Sequence, residues 1–222
     1  MRLHRFYTTE KIEGNEIEIS EKRIVHQVRN VFRLGVGDKI IVFNGNARDY
    51  ESEIVAEDKK SLKLKILKET ETFVPKKRVT LFMSVIKKEN FELVCEKATE
   101  LGVSEIVPVI SERTLMKNLN PERIEKILIE ASEQCGRGDI PTLKDARKLT
   151  DVLTEENLIV CDMGGEKIEN QESEIKILVG PEGGWSEEER KLFKDKNLKI
   201  VSLGETVLRA ETAAIAALAK MF

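Results

Sequence analysis

The stretch Leu178-Val-Gly-Pro-Glu-Gly-Gly-Trp-Ser-Glu-Glu-Glu189 decides how the second half of this 222-residue chain folds. The apolar run from Ile175 to Val179 predicts a short buried strand. The glycines and Pro181 then interrupt it, because glycine takes positive φ readily and proline donates no N–H. Ser186 is placed to cap a helix, with Glu189 completing a capping box. A strand, a glycine loop and a helix in succession are typical of the edge where an open α/β sheet binds ligands.

A second segment about twenty residues further on has the same design. Leu198 to Leu203 predicts a strand that ends at Gly204, and Ala210 to Ala219 is a run of small, strongly helix-forming residues. Neither segment matches a dinucleotide or nucleoside-triphosphate fingerprint, and Gly180–Gly184 contains no lysine to pair with a polyphosphate. From the residues alone, this loop either binds a neutral or zwitterionic ligand with an aromatic ring, or is a structural turn.

The region from residue 78 onward alternates strands with helices, which predicts a mostly parallel sheet covered by helices. Asn120-Pro121 is a helix cap followed by proline at the first helical position. The predicted strands are Val79–Ile86, Ile106–Ile110, Leu158–Cys161, Ile175–Val179 and Leu198–Leu203, and the predicted helices are Glu89–Leu101, Pro121–Cys135, a helix after Ser186, and Ala210–Ala219.

The first 73 residues predict a small β domain, because short strands at regular spacing are typical of a closed or half-closed barrel. Asn44-Gly45 is a strong hairpin signal. One helix is expected from Glu21 to Val31 with Ser20 as its cap, and the polar, proline-containing segment Glu69–Arg78 is the predicted linker. The predicted strands are Glu16–Ile19, Asp38–Phe43, Tyr50–Val55 and Leu62–Leu67.

Composition narrows the class of protein. The formal net charge of −3, from 37 basic and 40 acidic residues, gives no overall sign of a nucleic-acid binder. The three widely spaced cysteines form no C-x-x-C pair, so we expect no metal site and no structural disulfides. The N-terminus lacks the apolar region of a secretory leader, and no run of 18 apolar residues occurs. A cytoplasmic protein without a membrane segment is expected.

Basic and aromatic residues gather near the start of the chain. Arginine beside aromatic rings suits RNA phosphates and stacked bases, whereas a solvated charged face is the other interpretation of the same residues. The residues concerned are Arg2, His4, Arg5, Phe6, Tyr7, Lys22, Arg23, His26, Arg29 and Arg33.

Leu178 to Trp185, together with Leu203 to Ala213, resembles the RsmE family of ribosomal RNA (uracil-N3) methyltransferases in the SPOUT superfamily. The supporting motifs follow the family's order along nearly the whole chain, and they are His26–Arg33 with Gly37-Asp38, Glu96–Gly102, Ser111–Thr114 and Glu133–Arg137. Four positions depart from the family's usual residues, which are arginine at Thr206, threonine at Ala210, serine at Cys135 and phenylalanine at Trp185.

The resemblance implies an α+β two-domain fold. Residues 1–73 would form a PUA-like β-barrel that binds RNA, and residues 74–222 an α/β SPOUT methyltransferase domain. The last part, about 155–222, would be tied into a trefoil knot that binds S-adenosylmethionine. A homodimer is also implied, with Ala213–Ala219 contributing to its interface.

The activity implied by the resemblance is S-adenosylmethionine-dependent methylation of N3 of a specific uridine in 16S ribosomal RNA, with the assembled small ribosomal subunit as the partner. Two alternatives remain open at this point. One is a non-catalytic ribosome-binding or RNA-binding module. The other is a SPOUT enzyme that methylates a ribose 2′-hydroxyl or a tRNA base.

Site residues follow from the resemblance and from residue chemistry. Arg209 is the candidate cation for the negative charge on the base, and Glu211 is either a base or an acid that only meets the helix dipole. Glu182 either binds ligand hydroxyl or amino groups or caps the next helix, and Thr212 either caps a helix or contacts substrate. Gln134 and Arg137 either lie on the RNA side or meet a helix C-terminus. The candidate RNA-binding residues are Arg2, Arg5, His26, Arg29, Arg33, Gln134 and Arg137. The candidate cofactor-binding residues are Leu178, Val179, Gly180, Pro181, Glu182, Gly183, Gly184, Leu203, Gly204, Val207, Leu208 and Thr212.

Overall fold

A computed structural model describes residues 3–114, 119–167 and 174–221. These residues form two compact units, of which the first contains the chain up to Val74 together with Ser132–Ile140. The second contains Pro75–Ala131 and the chain from Pro141 onward. The first unit is built mainly of strands, and the second alternates strands with helices. Within the described ranges, no helix has both the length and the apolar character needed to cross a membrane.

The strands of the first unit are β1 (Arg5–Tyr7), β2 (Glu16–Ile19), β3 (Lys39–Phe43), β4 (Arg48–Glu57) and β5 (Leu62–Glu71). They form one sheet in the order β1-β3-β4-β5-β2. β3 and β4 are the antiparallel hairpin predicted at Asn44-Gly45. Alternating residues such as Ile40, Val42 and Ile54 fill the core beneath the sheet and are fully buried. The apolar residues that recur at every second position of the sequence therefore face the core, and the residues between them face solvent.

The helix of the first unit differs from the prediction in its cap and in its second half. The α-helix α1 spans Lys22–His26, and its N-cap is Glu21, so the predicted Ser20 cap is wrong. The Glu21 carboxylate accepts hydrogen bonds from the hydroxyl of Thr8 and the backbone N–H of Thr9, each at 2.8 Å. Tertiary contacts thus fix the helix start. Gln27–Val31 continues as a π-helical turn, a rare geometry that is frequent at functional sites.

Ser132–Ile140 belongs to the first unit through specific contacts. The Glu133 carboxylate accepts a hydrogen bond from Arg23 at 2.9 Å. Gly138 passes so close to Thr72 that an added Cβ would lie 2.3 Å from its Cγ2 atom. Glycine is therefore needed at position 138 for the backbone to approach this closely.

The strands of the second unit are β6 (Arg78–Ser84), β7 (Glu105–Ile110), β8 (Thr142–Leu143), β9 (Arg147–Lys148), β10 (Leu158–Lys167), β11 (Glu174–Val179) and β12 (Lys199–Ser202). They form a seven-stranded sheet in the order β12-β10-β11-β6-β7-β8, with β9 also paired to β7. Every one of these pairings is parallel, as the alternation of strands and helices predicts.

The helices that follow these strands are α2 (Lys88–Glu100), α3 (Pro121–Cys135), α4 (Leu149–Val152), α5 (Glu187–Asp195) and α6 (Ala210–Ala219). The Ser186–Glu189 capping box at the start of α5 is confirmed, with both of its hydrogen bonds formed. Asn120 also caps α3, because its side-chain oxygen accepts the N–H of Arg123 at 3.1 Å. Helix α6 packs against α2 and β11 of the same chain.

Candidate active site

Both glycine segments border one pocket of about 320 Å³ in the second unit. The strand order explains this meeting, because β11 and β12 lie on either side of β10. The loops that follow β11 and β12 therefore emerge next to each other at the carboxyl edge of the parallel sheet, where such sheets bind ligands. The two loops are residues 180–186 and 203–209.

Nine of the twelve candidate cofactor-binding residues line this pocket. Leu178 is instead fully buried in the core, and Gly204 and Thr212 are exposed; these three are not part of the wall that the described residues form. The nine lining residues are Val179, Gly180, Pro181, Glu182, Gly183, Gly184, Leu203, Val207 and Leu208.

The shape of the first loop depends on two of its glycines. Gly184 has φ of +66°, a conformation that residues with a side chain rarely adopt. Gly180 lies directly on the indole of Trp185, so that an added Cβ would be 3.0 Å from its Cε2 atom. Trp185 is only 1% exposed, and its Nε1 donates a hydrogen bond to the Cys161 carbonyl at 3.0 Å. The indole therefore joins the loop to β10.

Glu182 has a different partner from the one expected. Its Oε1 atom accepts the backbone N–H of Lys87, the N-cap residue of α2, at 2.9 Å. The helix that follows the loop is capped by Ser186, so the alternative in which Glu182 caps that helix is wrong. The carboxylate connects the pocket loop to the start of α2.

An ion pair that no sequence motif indicates lies on the pocket wall. Arg190 of α5 donates to both carboxylate oxygens of Asp162, at 2.7 and 3.2 Å. The Asp162 side chain is 12% exposed, and it raises the pKa of Arg190, which stays charged. Burial raises the pKa of the neighbouring Cys161 thiol to about 12, so the thiol stays protonated beside this ion pair. The one local signal for it is weak: an acidic residue, Asp162, directly follows the apolar run Leu158–Cys161.

The two candidate catalytic residues lie beside Ala210, which lines the pocket. Arg209 is the N-cap residue of α6 and is exposed, and its side chain makes no capping hydrogen bond. Glu211 is in the first turn and only 9% exposed. Its Oε2 atom is buried without a hydrogen-bond partner among the described residues. Such an atom is costly in free energy unless it meets a partner in the working protein.

Two of the candidate RNA-binding residues border a second, basic pocket in the first unit. This pocket of about 730 Å³ lies between the start of α1, the π-helical turn and the turn between β4 and β5. His26 and Arg29 are among its lining residues, as are Lys22, Lys59 and Lys60. Arg29 is held in place by a 2.6 Å hydrogen bond to the carbonyl of Asp58. The pocket wall therefore carries four cationic side chains and a histidine.

Two other candidate RNA-binding arginines are buried in the first unit. The Arg5 side chain is 6% exposed, pairs with Asp49 and lies 3.6 Å from the ring centre of Phe43. The Arg137 side chain is 2% exposed and pairs with Asp139 at 2.7 Å. Both guanidinium groups hold the unit together.

The last three candidate RNA-binding residues differ in their placement. Arg33 is exposed and has φ of +56°, and Gln134 is exposed. Arg2 lies outside the described residues. Across residues 3–114, 119–167 and 174–221, no group of three or more His, Cys, Asp or Glu side chains is arranged to hold a metal ion.

Residues 74–222 match the family model described as an RNA methyltransferase domain, and residues 21–67 match the one described as an RNA methyltransferase PUA domain. The chain is 34% identical to Ribosomal RNA small subunit methyltransferase E of Rickettsia conorii, over 100% of this chain and 96% of the relative. It is 32% identical to the protein of the same name from Aquifex aeolicus, over 96% of each.

Solved structures give the same result. The Ribosomal RNA small subunit methyltransferase E of Neisseria gonorrhoeae, bound to S-adenosyl methionine, superposes with a TM-score of 0.90 at 29% identity, covering 98% of this chain and 96% of that one. A putative methyltransferase of Legionella pneumophila, in complex with the bound cofactor SAM, gives 0.89 at 30% identity with the same coverage. With its glycine-loop pocket and these relatives, the chain belongs to the RNA methyltransferase family that includes Ribosomal RNA small subunit methyltransferase E, as the resemblance in its motifs indicated.

Proposed function

We propose that this protein is an S-adenosylmethionine-dependent methyltransferase that modifies N3 of a uridine in 16S ribosomal RNA. The observation that carries the proposal is the single pocket formed by both glycine loops. Its volume of about 320 Å³ is within the range of roughly 300–1,000 Å³ that small-molecule sites occupy. The relatives named Ribosomal RNA small subunit methyltransferase E, of which the Neisseria protein is bound to S-adenosyl methionine, support the cofactor and the ribosomal RNA substrate.

The pocket residues suit this cofactor chemically. Val179, Leu203 and Leu208 provide apolar walls for an adenine ring, and the backbone of Gly180–Gly184 presents amide and carbonyl groups to polar edges. The Asp162 carboxylate offers acceptors for hydroxyl or ammonium groups. When bound, the cofactor supplies a methyl group on a positively charged sulfonium. The remaining task of the protein is to align the target atom and exclude water.

The uridine N3 carries a weakly acidic proton that must leave before or during methylation. In this proposal Glu211 accepts or orients that proton, because its buried Oε2 atom has no partner among the described residues. Arg209 stays protonated at ordinary pH, and its exposed side chain stabilises the negative charge that spreads onto O2 and O4 of the base. A general base contributes roughly 10²–10⁴-fold to such reactions.

The basic pocket of the first unit is the proposed contact with ribosomal RNA. Phosphate groups are attracted by its cationic wall, whereas the buried Arg5 and Arg137 act on RNA only by holding the unit in shape. Exchanging Lys59 and Lys60 together for alanine should weaken RNA binding and reduce the slope of log affinity against log salt by about two. The matched control exchanges Lys65 and Lys68, which are exposed on β5 outside this pocket, and should leave that slope unchanged.

The domain boundaries, the knot, the oligomeric state and the place of action are proposed from family membership. We propose functional domains at residues 1–73 and 74–222, a trefoil knot over about 155–222, a homodimer, and action in the cytoplasm on the assembled small subunit. A cofactor-bound crystal structure would test the knot and both loops at once, and sedimentation would measure the oligomeric state.

The decisive experiment measures methylated nucleosides. Small ribosomal subunits from a strain without this activity are incubated with the purified protein and S-adenosylmethionine, and the ribosomal RNA is digested for mass analysis. The proposal requires the appearance of 3-methyluridine. Methylation of a ribose would instead indicate a 2′-hydroxyl enzyme, and the absence of any methylated product, with RNA binding retained, would indicate a binding module.

A further inference from the structure

A four-residue turn that follows β7 makes three hydrogen bonds to the pocket loop and to the first turn of α5. Arg113 donates from Nη1 to the carbonyl of Gly183 at 2.8 Å. The backbone N–H of Glu112 donates to Oε1 of Glu189 at 2.8 Å, and its carboxylate accepts the Ser186 hydroxyl at 2.6 Å. The turn, Ser111–Thr114, thus contacts both the loop and the capping box of α5.

The turn is itself well fixed. The backbone N–H of Ser111 donates to the Thr114 hydroxyl at 3.0 Å, and that of Thr114 donates to the Ser111 carbonyl at 3.2 Å. Both residues are 7% exposed, while Ser186 and Glu189 on the other side of the contact are 2% and 5% exposed. Connected buried hydrogen bonds of this kind rigidify the elements that they join.

Arg113 also packs against the loop. A Cβ added to Gly183 would lie 3.4 Å from both Cβ and Cδ of Arg113, so the arginine stem covers the glycine. On the pocket wall, Gly180 rests on Trp185 in the same way. Because β6 separates β7 from β11 in the sheet, the link through Arg113 is additional to the strand pairing.

We propose that Arg113 is a positioning residue of this pocket. By binding and covering Gly183 it sets the position of Gly180–Gly184, and through that loop it sets the affinity for S-adenosylmethionine. The identity of the ligand as S-adenosylmethionine rests on the proposed function, whereas the effect of Arg113 on the position of the loop does not.

The test compares Arg113→Ala, Arg113→Met and Arg113→Lys in the full-length protein. Alanine removes both contacts, methionine keeps part of the stem, and lysine keeps one donor. The calorimetric Kd for S-adenosylmethionine should rise about tenfold in the first two variants and less in the third, because one charge-assisted hydrogen bond of moderate strength is lost. The turnover number at saturating cofactor and KM for the small subunit should remain within about twofold. Arg123→Ala is the matched control, because Arg123 is also an exposed arginine of the second unit, but its side chain pairs with Glu92 and does not line the pocket.

A second measurement needs no cofactor. Trp185 is the single tryptophan of the chain, so its fluorescence reports the packing of Gly180 on the indole. The emission of Arg113→Ala and Arg113→Met should shift, while that of Arg123→Ala should not. Unchanged emission with unchanged Kd would overturn the proposal, and so would a raised KM for the subunit with unchanged Kd, since Arg113 would then contact substrate. If the unmodified protein binds no S-adenosylmethionine, the proposed function fails while the emission shift still decides the positioning role.

Discussion

Replacing Gly180 by alanine should destabilise the second unit, because the new methyl group meets the indole of Trp185. The added Cβ would lie 3.0, 3.2 and 3.3 Å from three ring atoms. Trp185 cannot move away freely, since Nε1 is bonded to the Cys161 carbonyl and Phe193 packs edge-to-face at 5.2 Å between ring centres. Either the indole leaves its hydrogen bond or the loop lifts from the pocket wall.

The expected size of the effect follows from two opposing contributions. Overpacking a well-filled core costs roughly 1–3 kcal/mol, whereas a glycine-to-alanine exchange at an accessible φ stabilises by about 0.4–1 kcal/mol through the unfolded chain. The net destabilisation should be about 1–2 kcal/mol. For a chain of this length each kcal/mol changes Tm by roughly 2–4 °C, so Tm should fall by about 2–8 °C.

Thermal unfolding followed by circular dichroism measures this change. Gly204→Ala is the control, because a Cβ there meets no atom within 4 Å, and its Tm should be unchanged or slightly higher. Combining Gly180→Ala with Trp185→Phe should cost less than the sum of the single changes, since the smaller ring makes room for the methyl group. A Gly180→Ala variant as stable as the original, with full additivity in the double variant, would show that the contact does not constrain the loop.

Three further predictions follow from single side chains. Ser186→Ala should lower stability by about 1–2 kcal/mol, since it breaks a capping box, while Ser20→Ala should have no comparable effect on denaturant unfolding because Ser20 caps no helix. Hydrogen bonds from the cationic side chains of Arg147 and Lys176 lower the pKa of Glu155 from its ordinary value of 4.5. A depressed carboxyl pKa stabilises the fold at neutral pH and stops doing so as the pH falls through it, so Glu155→Gln should cost about 1 kcal/mol at pH 7 and progressively less in urea titrations below pH 4.5. Glu211→Gln should reduce single-turnover methylation about a hundredfold with little change in Kd for the cofactor; full activity would exclude a role as the base.

Elements with local signals were predictable from the sequence. Ser186 and Glu189 form a capping box within one turn, so their spacing alone places the start of α5. The Asn44-Gly45 hairpin and the Asn120 cap rest on contacts of the same short range. Each of these features needs only residues that are neighbours in the chain, and each is present in the structure.

Elements fixed by distant partners were not predictable in the same way. Ser20 has the chemistry of a cap, but the helix instead starts at Glu21, whose carboxylate is bound by Thr8 and Thr9 more than ten positions earlier. The assignment of Ser132–Ile140 to the first unit depends on the Glu133–Arg23 pair, across 110 positions. Neither segment contains a sequence pattern that identifies the distant residue it contacts.

The candidate site shows the same division between local and distant information. The glycine loops after β11 and β12 were identified because glycine, proline and strand ends are adjacent in the sequence. Their meeting depends on β10, which is placed between those two strands in the sheet and precedes both in the chain. The end of β10 therefore supplies Cys161, Asp162 and Met163 to the pocket wall, although nothing in that segment resembles a binding motif. A ligand held by both loops must also contact β10, so its affinity should respond to Asp162 as strongly as to the glycines that revealed the site.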